Sequence, residues 1–165
     1  MYFRIFLIVS AVIFSCSDNR KGQQPVQPES RTVKADPGSA LATEPLLSHA
    51  DSLQILFYDD PDGDPERYTR YYSFTDTRDE KVINDLLANL EQPVEKRDTV
   101  KECRSEGKIY VYDTKQQPVK TIYFSTRCDT CCYLYFIKSG AFYYCELSGE
   151  FKRRLQENKA LSQKP

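Results

Sequence analysis

Four segments in the second half of the chain alternate between two kinds of side chain with the two-residue period of a β-strand, and this alternation constrains the fold most strongly. The segments are Lys108–Asp113, Val119–Thr126, Cys132–Lys138 and Ala141–Leu147. Their connections are too short for crossover helices, so we expect them to pair as an antiparallel meander. Such a sheet buries one face against the core and carries a different set of side chains on the other.

Two earlier segments also have strand composition, and two segments have helical periodicity. The strands are Leu53–Tyr58 and Arg70–Phe74. The first helix carries its apolar residues on one stripe, at Val82, Ile83, Leu86, Leu87 and Leu90. Thr77 and Glu80 have the spacing of a capping box, and Pro93 marks the end of this helix. A second, closing helix is predicted to begin after Ser148.

The order β-β-α-β-β-β-β-α predicts an α+β fold, with an antiparallel meander sheet of about five or six strands and helices packed on one face. Turn positions predict the pairs Ile109–Ile122, Phe124–Phe136 and Phe136–Tyr143, and this register decides which side chains share a face. One face is aliphatic and includes four cysteines: Ile109, Val111, Ile122, Phe124, Leu134, Phe136, Leu147, Cys103, Cys128, Cys132 and Cys145. The opposite face, called the tyrosine face here, carries Tyr110, Tyr112, Tyr123, Tyr133, Tyr135, Phe142 and Tyr144.

Residues 1–15 have the outline of a secretory signal. Arg4 precedes an apolar run from Ile5 to Phe14, and the small residue Ser15 stands directly before Cys16. The apolar run is about half of the roughly 20 residues that a helix needs to cross a bilayer. A signal peptide is therefore predicted rather than a spanning helix.

The end of this signal, Ile13-Phe14-Ser15-Cys16, resembles the lipobox of bacterial lipoproteins. In that family the cysteine receives a diacylglyceryl group, the signal is removed, and the new N-terminus is acylated. The resemblance implies lipidation at Cys16 and a membrane anchor of several acyl chains. Ser17 stands where an inner-membrane retention signal carries Asp, which favours the outer membrane, on its periplasmic side or at the cell surface. The segments "CSDNRK" and "EGKIYVYD…PVKTIYFS" also resemble small Bacteroidota envelope lipoproteins that have no assigned activity.

Beyond the signal, composition predicts three regions. Residues 16–50 are predicted to be a disordered tether, because they contain prolines and mixed charges but few large apolar side chains. Residues 51–158 have the length of a single α+β domain, and residues 159–165 form a C-terminal tail. His49, the only histidine, falls at the end of the predicted tether, where a solvated residue is expected rather than a ligand.

The chain has six cysteines, and export to an oxidising compartment favours disulfides between them. Extending the predicted register places Cys103 opposite Cys128, so this pair is the candidate disulfide, with Cys132 as the alternative partner of Cys103. Closing this loop would stabilise the domain by about 3 kcal/mol. Cys145 is the candidate for a buried, unreactive thiol. The Cys128-x-x-Cys131-Cys132 cluster leaves open a zinc site or a thiol/disulfide couple.

Other chemistry has little support in the sequence. A net charge of −1 with interspersed signs offers no basic face for nucleic acid. Asp60, Asp62 and Asp64 resemble part of a calcium loop, but Pro65 and Tyr71 stand where that loop has Gly and Glu, so a solvated turn is expected. No catalytic motif is found, and His49 is poorly placed to serve as a base. No metal or other cofactor is predicted.

These observations favour a lipid-anchored, non-enzymatic envelope protein. Its domain would bind a ligand or protein through the tyrosine face, because tyrosines suit contacts with an envelope protein or a glycan. The aromatic side chains could instead be half-covered by the N-terminal strands or by the tether. The alternative function is a thiol/disulfide or zinc-dependent envelope enzyme that uses the cluster containing Cys131 and Cys132.

Overall fold

The computed structural model describes residues 38–127, 129 and 131–165. The elements in these residues are, in order, α1 (Ala40–Thr43), a 3-10 helix (Pro45–His49), β1 (Ser52–Tyr58), β2 (Tyr72–Thr77), α2 (Glu80–Leu90), β3 (Glu95–Arg97), β4 (Gly107–Tyr112), β5 (Pro118–Arg127), β6 (Cys131–Lys138), β7 (Ala141–Glu146) and α3 (Gly149–Ala160). The predicted signal peptide, the lipidation site Cys16 and the disulfide candidate Cys128 lie outside the described residues.

The described strands form one antiparallel sheet in the order β2-β1-β4-β5-β6-β7-β3, which confirms the α+β class and the antiparallel meander. The sheet has seven strands rather than the predicted five or six. The additional strand is β3, which pairs with β7 at the sheet edge. Its residues Glu95, Lys96 and Arg97 are all charged and exposed, so they carry no alternation of apolar and polar side chains from which a strand could be predicted.

The register is predicted correctly in two hairpins and is shifted by two residues in the third. Ile109 pairs with Ile122, and Phe136 pairs with Tyr143, as predicted. Phe124, however, pairs with Leu134 rather than with Phe136. The reason is that β6 begins at Cys131, one residue earlier than the predicted start at Cys132. A shift of two residues preserves the alternation, so the side chains of β4–β7 keep their predicted faces.

The main core joins the aliphatic face to residues of all three described helices. The helical contribution comes from Ala40, Leu41, Val82, Ile83, Leu86, Leu87, Leu90, Phe151 and Leu155. Ser148 caps α3, where its side chain accepts a hydrogen bond from the Phe151 amide (3.2 Å), as predicted. The N-cap of α2 is not Thr77, as the predicted capping box requires. Asp79 caps α2 instead, and the Thr77 hydroxyl accepts a hydrogen bond from the Asp79 amide.

The last part of the predicted tether belongs to the folded domain. Ser39 caps α1, and Ala40 and Leu47 are fully buried in the main core. Glu44 forms an ion pair with Lys120 of β5 at 2.8 Å, which fixes this segment to the sheet. The predicted boundary at residue 50 is therefore corrected to a position before Ser39. At the other end, α3 reaches Ala160 and a backbone bridge joins Gln163 to Phe74, so the predicted tail is partly attached.

Candidate functional site

The central residues of the tyrosine face form a second buried cluster, separate from the main core. Tyr133, Tyr135 and Tyr144 are only 3%, 8% and 2% exposed. The Tyr133 and Tyr144 rings meet edge to face with centroids 5.2 Å apart, and Tyr123 stacks on Tyr135 at 4.7 Å. We call Tyr133, Tyr135 and Tyr144 the covered half of the tyrosine face. These three residues are too buried to serve as a binding surface.

A loop between β3 and β4, residues 98–106, covers this half and is called the strap here. A disulfide joins Cys103 of the strap to Cys131 at the start of β6. The Tyr133 hydroxyl donates a hydrogen bond to the Cys103 carbonyl (2.5 Å), and the Lys101 amide donates one to the Tyr144 hydroxyl (3.0 Å). The Lys101 ammonium also lies 4.7 Å from the centre of the Tyr144 ring, within cation–π distance. The cover is thus the strap, rather than the N-terminal strands or the tether.

Burial in this cluster raises the pKa values of Tyr133 and Tyr135 above the ordinary tyrosine value. Neighbouring phenols add to the effect, because a phenolate beside them would be poorly solvated. Both hydroxyls therefore stay protonated at any physiological pH, and the Tyr133 hydroxyl remains a hydrogen-bond donor. The covered half has a structural role.

The turn at Asp60, Asp62 and Asp64 is exposed to solvent, as predicted, and arginines hold the loop of residues 59–71 that contains it. Arg127 forms an ion pair with Asp62 at 2.6 Å, and Arg104 of the strap donates a hydrogen bond to the Gly63 carbonyl at 2.6 Å. The Arg104 guanidinium also lies 5.1 Å from the centre of the Tyr68 ring. These contacts join the loop to the strap and to β5, and they occupy a carboxylate that a calcium ion would need.

Glu106 fixes the junction between the strap and β4. Its carboxylate accepts hydrogen bonds from the Thr126 amide and hydroxyl, at 2.5 and 2.7 Å. Burial alone would raise the pKa of Glu106, but these hydrogen bonds and the nearby charge of Arg127 outweigh it and lower the pKa. The carboxylate is therefore ionised at neutral pH and acts as a fixed acceptor.

The rest of the tyrosine face remains accessible to solvent. We call it the open half. It consists of Tyr110, Tyr112, Tyr123 and Phe142, together with Ile137, which lies on the same face opposite Phe142. Its aromatic residues are partly exposed, and Ile137 is 42% exposed, which is high for an isoleucine in a sheet. Lys108 lies with its ammonium 4.8 Å from the centre of the Tyr110 ring, and so adds a charge to this surface.

A cleft of about 400 Å³ lies at one end of the open half and is called the β1–β4 cleft. Its lining includes Ser52, Gln54, Asp76, Arg78, Tyr112 and Gln116. Tyr112 belongs to both the cleft and the open half, so the two are continuous. The other lining residues could not be found from the sequence, because they come from β1, β2, the residue after β2 and the turn after β4 and have no shared motif. Only the strand order could have brought them together.

The predicted cysteine pairing is corrected by the structure. Cys103 is joined to Cys131, and not to Cys128 or Cys132. Cys103 also lies with the tyrosine cluster rather than on the aliphatic face, because β4 begins only at Gly107 and the register cannot be extended back to Cys103. Cys132 is itself disulfide-bonded.

Cys145 is a free and buried thiol, as predicted. Burial raises the pKa of this thiol to about 12, although a hydrogen bond from Asn89 opposes the effect. Because the thiolate is the reactive form, Cys145 is chemically inert at neutral pH.

Among residues 38–127, 129 and 131–165, no three His, Cys, Asp or Glu side chains are arranged to hold a metal ion. Zinc would also require thiolates, whereas Cys103, Cys131 and Cys132 are held in disulfides. In the same part of the chain no helix is long and apolar enough to cross a membrane.

Comparisons with protein-family models, with curated proteins and with solved structures find no match to this chain.

Proposed function

We propose that this chain is a lipid-anchored protein of the bacterial cell envelope whose domain binds a ligand, without chemical turnover, through the open half of the tyrosine face. The observation that carries the proposal is the accessible group of four aromatic residues and Ile137 on one surface of the sheet. Single exposed apolar residues are common on protein surfaces, whereas a contiguous cluster of them is a mark of a contact surface.

The residue types of the open half suit recognition. Tyrosine supplies a large contact area and a hydroxyl while losing only two side-chain torsions on binding. Tyr123 is already held by its stacking on Tyr135, with the ring planes 13° apart, so little further ordering is needed. From Tyr110 on β4 to Phe142 on β7, three strand spacings give a width of about 14 Å.

The rigid support beneath this surface also favours the proposal. The strap fixes the covered half, and the covered half in turn supports Tyr123 and Phe142, which pack against it. We take the helices to pack on the aliphatic face alone, and the mixed helix and sheet composition of the main core supports this arrangement. The tyrosine face would then be free to point away from the helical layer.

The anchor and the location rest on the sequence. The lipobox-like segment ending at Cys16 supports lipidation there, and Ser17 favours the outer membrane, on either side. Mass spectrometry of the protein purified in detergent tests this part. We expect a mature N-terminus at Cys16 that carries a diacylglyceryl group and an acyl chain. A chain cleaved elsewhere, or an unmodified cysteine, would contradict the anchor without bearing on the binding surface.

Binding can be tested with the full-length protein and sedimented envelope fractions from the producing cells. Tyr110→Ser and Tyr123→Ser should each weaken co-sedimentation. The matched control is Tyr71→Ser, which removes an equally large ring that is 64% exposed but lies outside the tyrosine face. Equal behaviour of all three variants would refute the proposal. Treating the fractions with protease or with periodate separates protein from glycan partners.

The alternative function, a thiol or zinc-dependent enzyme, makes a different prediction about thiols. The binding proposal expects one free thiol in the described part of the chain, at Cys145, which reacts only after unfolding. A disulfide that mild thiol reductants open readily in the folded protein, or zinc bound in stoichiometric amount, would instead support the enzyme.

A further inference from the structure

We infer that the β1–β4 cleft binds one unit of a neutral oligosaccharide, and that the rest of the oligosaccharide lies across the open half. This inference rests on the proposed function and deepens it, since it gives the bound ligand a chemical class. The polar groups of the cleft, their charges and the continuity of the cleft with the aromatic surface support it.

The polar side chains of the cleft are held in place by one another. The Gln54 amide donates a hydrogen bond to one carboxylate oxygen of Asp76 at 3.0 Å. The Gln116 amide donates to the Ser52 hydroxyl at 3.2 Å, and Gln116 adopts a left-handed backbone conformation with φ of 59°. A residue with a Cβ rarely takes that conformation, which costs free energy, so its side-chain contacts help to hold it there.

These contacts leave several groups available to a ligand. In the part of the chain that the structure describes, no partner meets the side-chain carbonyl oxygen of Gln54 or the second carboxylate oxygen of Asp76. Arg78, at the rim of the cleft, has no ion-pair partner among the described residues. The Tyr112 ring and hydroxyl complete the lining. The cleft therefore offers acceptors, donors and one aromatic surface within about 400 Å³, near the lower end of the range for small-molecule sites.

The charges favour a neutral ligand. Asp76 would repel an anion and Arg78 would repel a cation, whereas together they contribute no net charge to the cleft. A purely apolar ligand would remove both ions from water without replacing their hydrogen bonds, which is costly. A sugar unit satisfies both, because each hydroxyl can donate to the carboxylate and accept from the guanidinium. Its C–H surface can at the same time pack on the Tyr112 ring.

The strand order connects the cleft to the aromatic surface. Gln54 of β1 lies directly opposite Tyr110 of β4, and Tyr110 and Tyr112 share a face of that strand. An oligosaccharide that leaves the cleft therefore meets Tyr110 first and Tyr123 next. An extended peptide fits less well, because peptides that add to a sheet need an open edge. β1 is paired on both sides, with β2 and with β4, and the outer edge of β2 is already occupied at Phe74, which forms a bridge with Gln163.

The test measures binding of the full-length protein, in detergent, to a panel of immobilised neutral hexasaccharides built from glucose, mannose, galactose or N-acetylglucosamine. We expect at least one of them to bind. Asp76→Asn, which keeps the shape and removes the charge, and Arg78→Ala should each weaken that binding about tenfold or more, because each removes a charged hydrogen bond. Arg67→Ala is the matched control; it removes an exposed arginine in the loop of residues 59–71.

Two outcomes would overturn the inference, and each reports separately on the proposed function. If a hexasaccharide binds and neither Asp76→Asn nor Arg78→Ala weakens it, the cleft is not the site. Weakening by Tyr123→Ser in that case would leave the open half as the binding surface. If no hexasaccharide binds, the ligand class is wrong. Co-sedimentation with envelope fractions that still depends on Tyr123 would then point to a protein partner, and its absence would overturn both proposals.

Discussion

Removal of the bridge between Cys103 and Cys131 should lower the stability of the domain substantially. The two residues are separated by 28 positions, and closing a loop of this size reduces the conformational entropy of the unfolded chain. The loop-entropy relation gives about 3.5 kcal/mol at 25 °C. Small domains have total stabilities of roughly 5–15 kcal/mol, so this is a large fraction. We expect the unfolding temperature to fall by about 10–15 °C.

The double variant Cys103→Ala with Cys131→Ala isolates this effect, because it removes both thiols of the bridge and so leaves neither of them free to attack the bridge formed by Cys132. Urea unfolding can be followed by tyrosine fluorescence, since the chain has 12 tyrosines and no tryptophan. The midpoint should fall by roughly 2 M for a typical urea dependence. Cys145→Ala is the control, because it removes a buried sulfur without breaking a bridge. A double variant no less stable than this control would refute the reasoning.

Three further expectations concern single residues. Gly107→Ala should destabilise the domain by about 3 kcal/mol in urea unfolding, because the new methyl group would lie 2.1 Å from the Leu56 carbonyl oxygen and 2.4 Å from the Phe124 ring. The ionised Glu106 carboxylate contributes its full stabilisation above pH 4.5, the ordinary pKa of a glutamate. Because the pKa in the folded protein is lower, this stabilisation is lost as the pH falls through the lowered pKa. The free energy of unfolding should therefore fall less steeply with decreasing pH in Glu106→Gln than in the unsubstituted protein. An equal pH dependence in the two proteins would contradict this. Cys145 should react with a thiol reagent at pH 8 only in denaturant, because its pKa is about 12; rapid labelling of the folded protein would contradict its burial.

The sequence could predict the faces of the sheet better than its register. Alternation along β4–β7 excludes every shift by an odd number of residues, since such a shift would place the aliphatic residues in solvent. It does not exclude a shift by two. Phe124 meets an apolar partner on the same face whether it pairs with Leu134 or with Phe136, so the position of the turn decides between them. That turn carries no residue pattern that fixes its length.

The strap and the N-terminal helices could not be predicted from periodicity. The strap has no alternation, and its position over the tyrosine cluster depends on two hydroxyl contacts and one bridge. The pairing of Cys103 was misassigned because the register was extended beyond Gly107, where β4 begins. The segment before β1 contributes Ala40 and Leu47 to the core. In the sequence, however, these are isolated apolar residues within a polar, proline-containing segment, and that composition predicts disorder. The β1–β4 cleft depends on strand order.

The strap also explains why tyrosine, and not phenylalanine, occupies two of the three positions of the covered half. A buried hydroxyl without a partner costs free energy, so tyrosine is favourable there only where a polar group meets it. The strap supplies these groups at Tyr133 and Tyr144 through its backbone. In the open half, water or a ligand can meet the hydroxyls instead. The same residue type therefore has two roles, and they are separable: substitutions in the covered half should lower stability, whereas Tyr110→Ser in the open half, which lies outside the buried cluster, should lower binding and leave stability nearly unchanged.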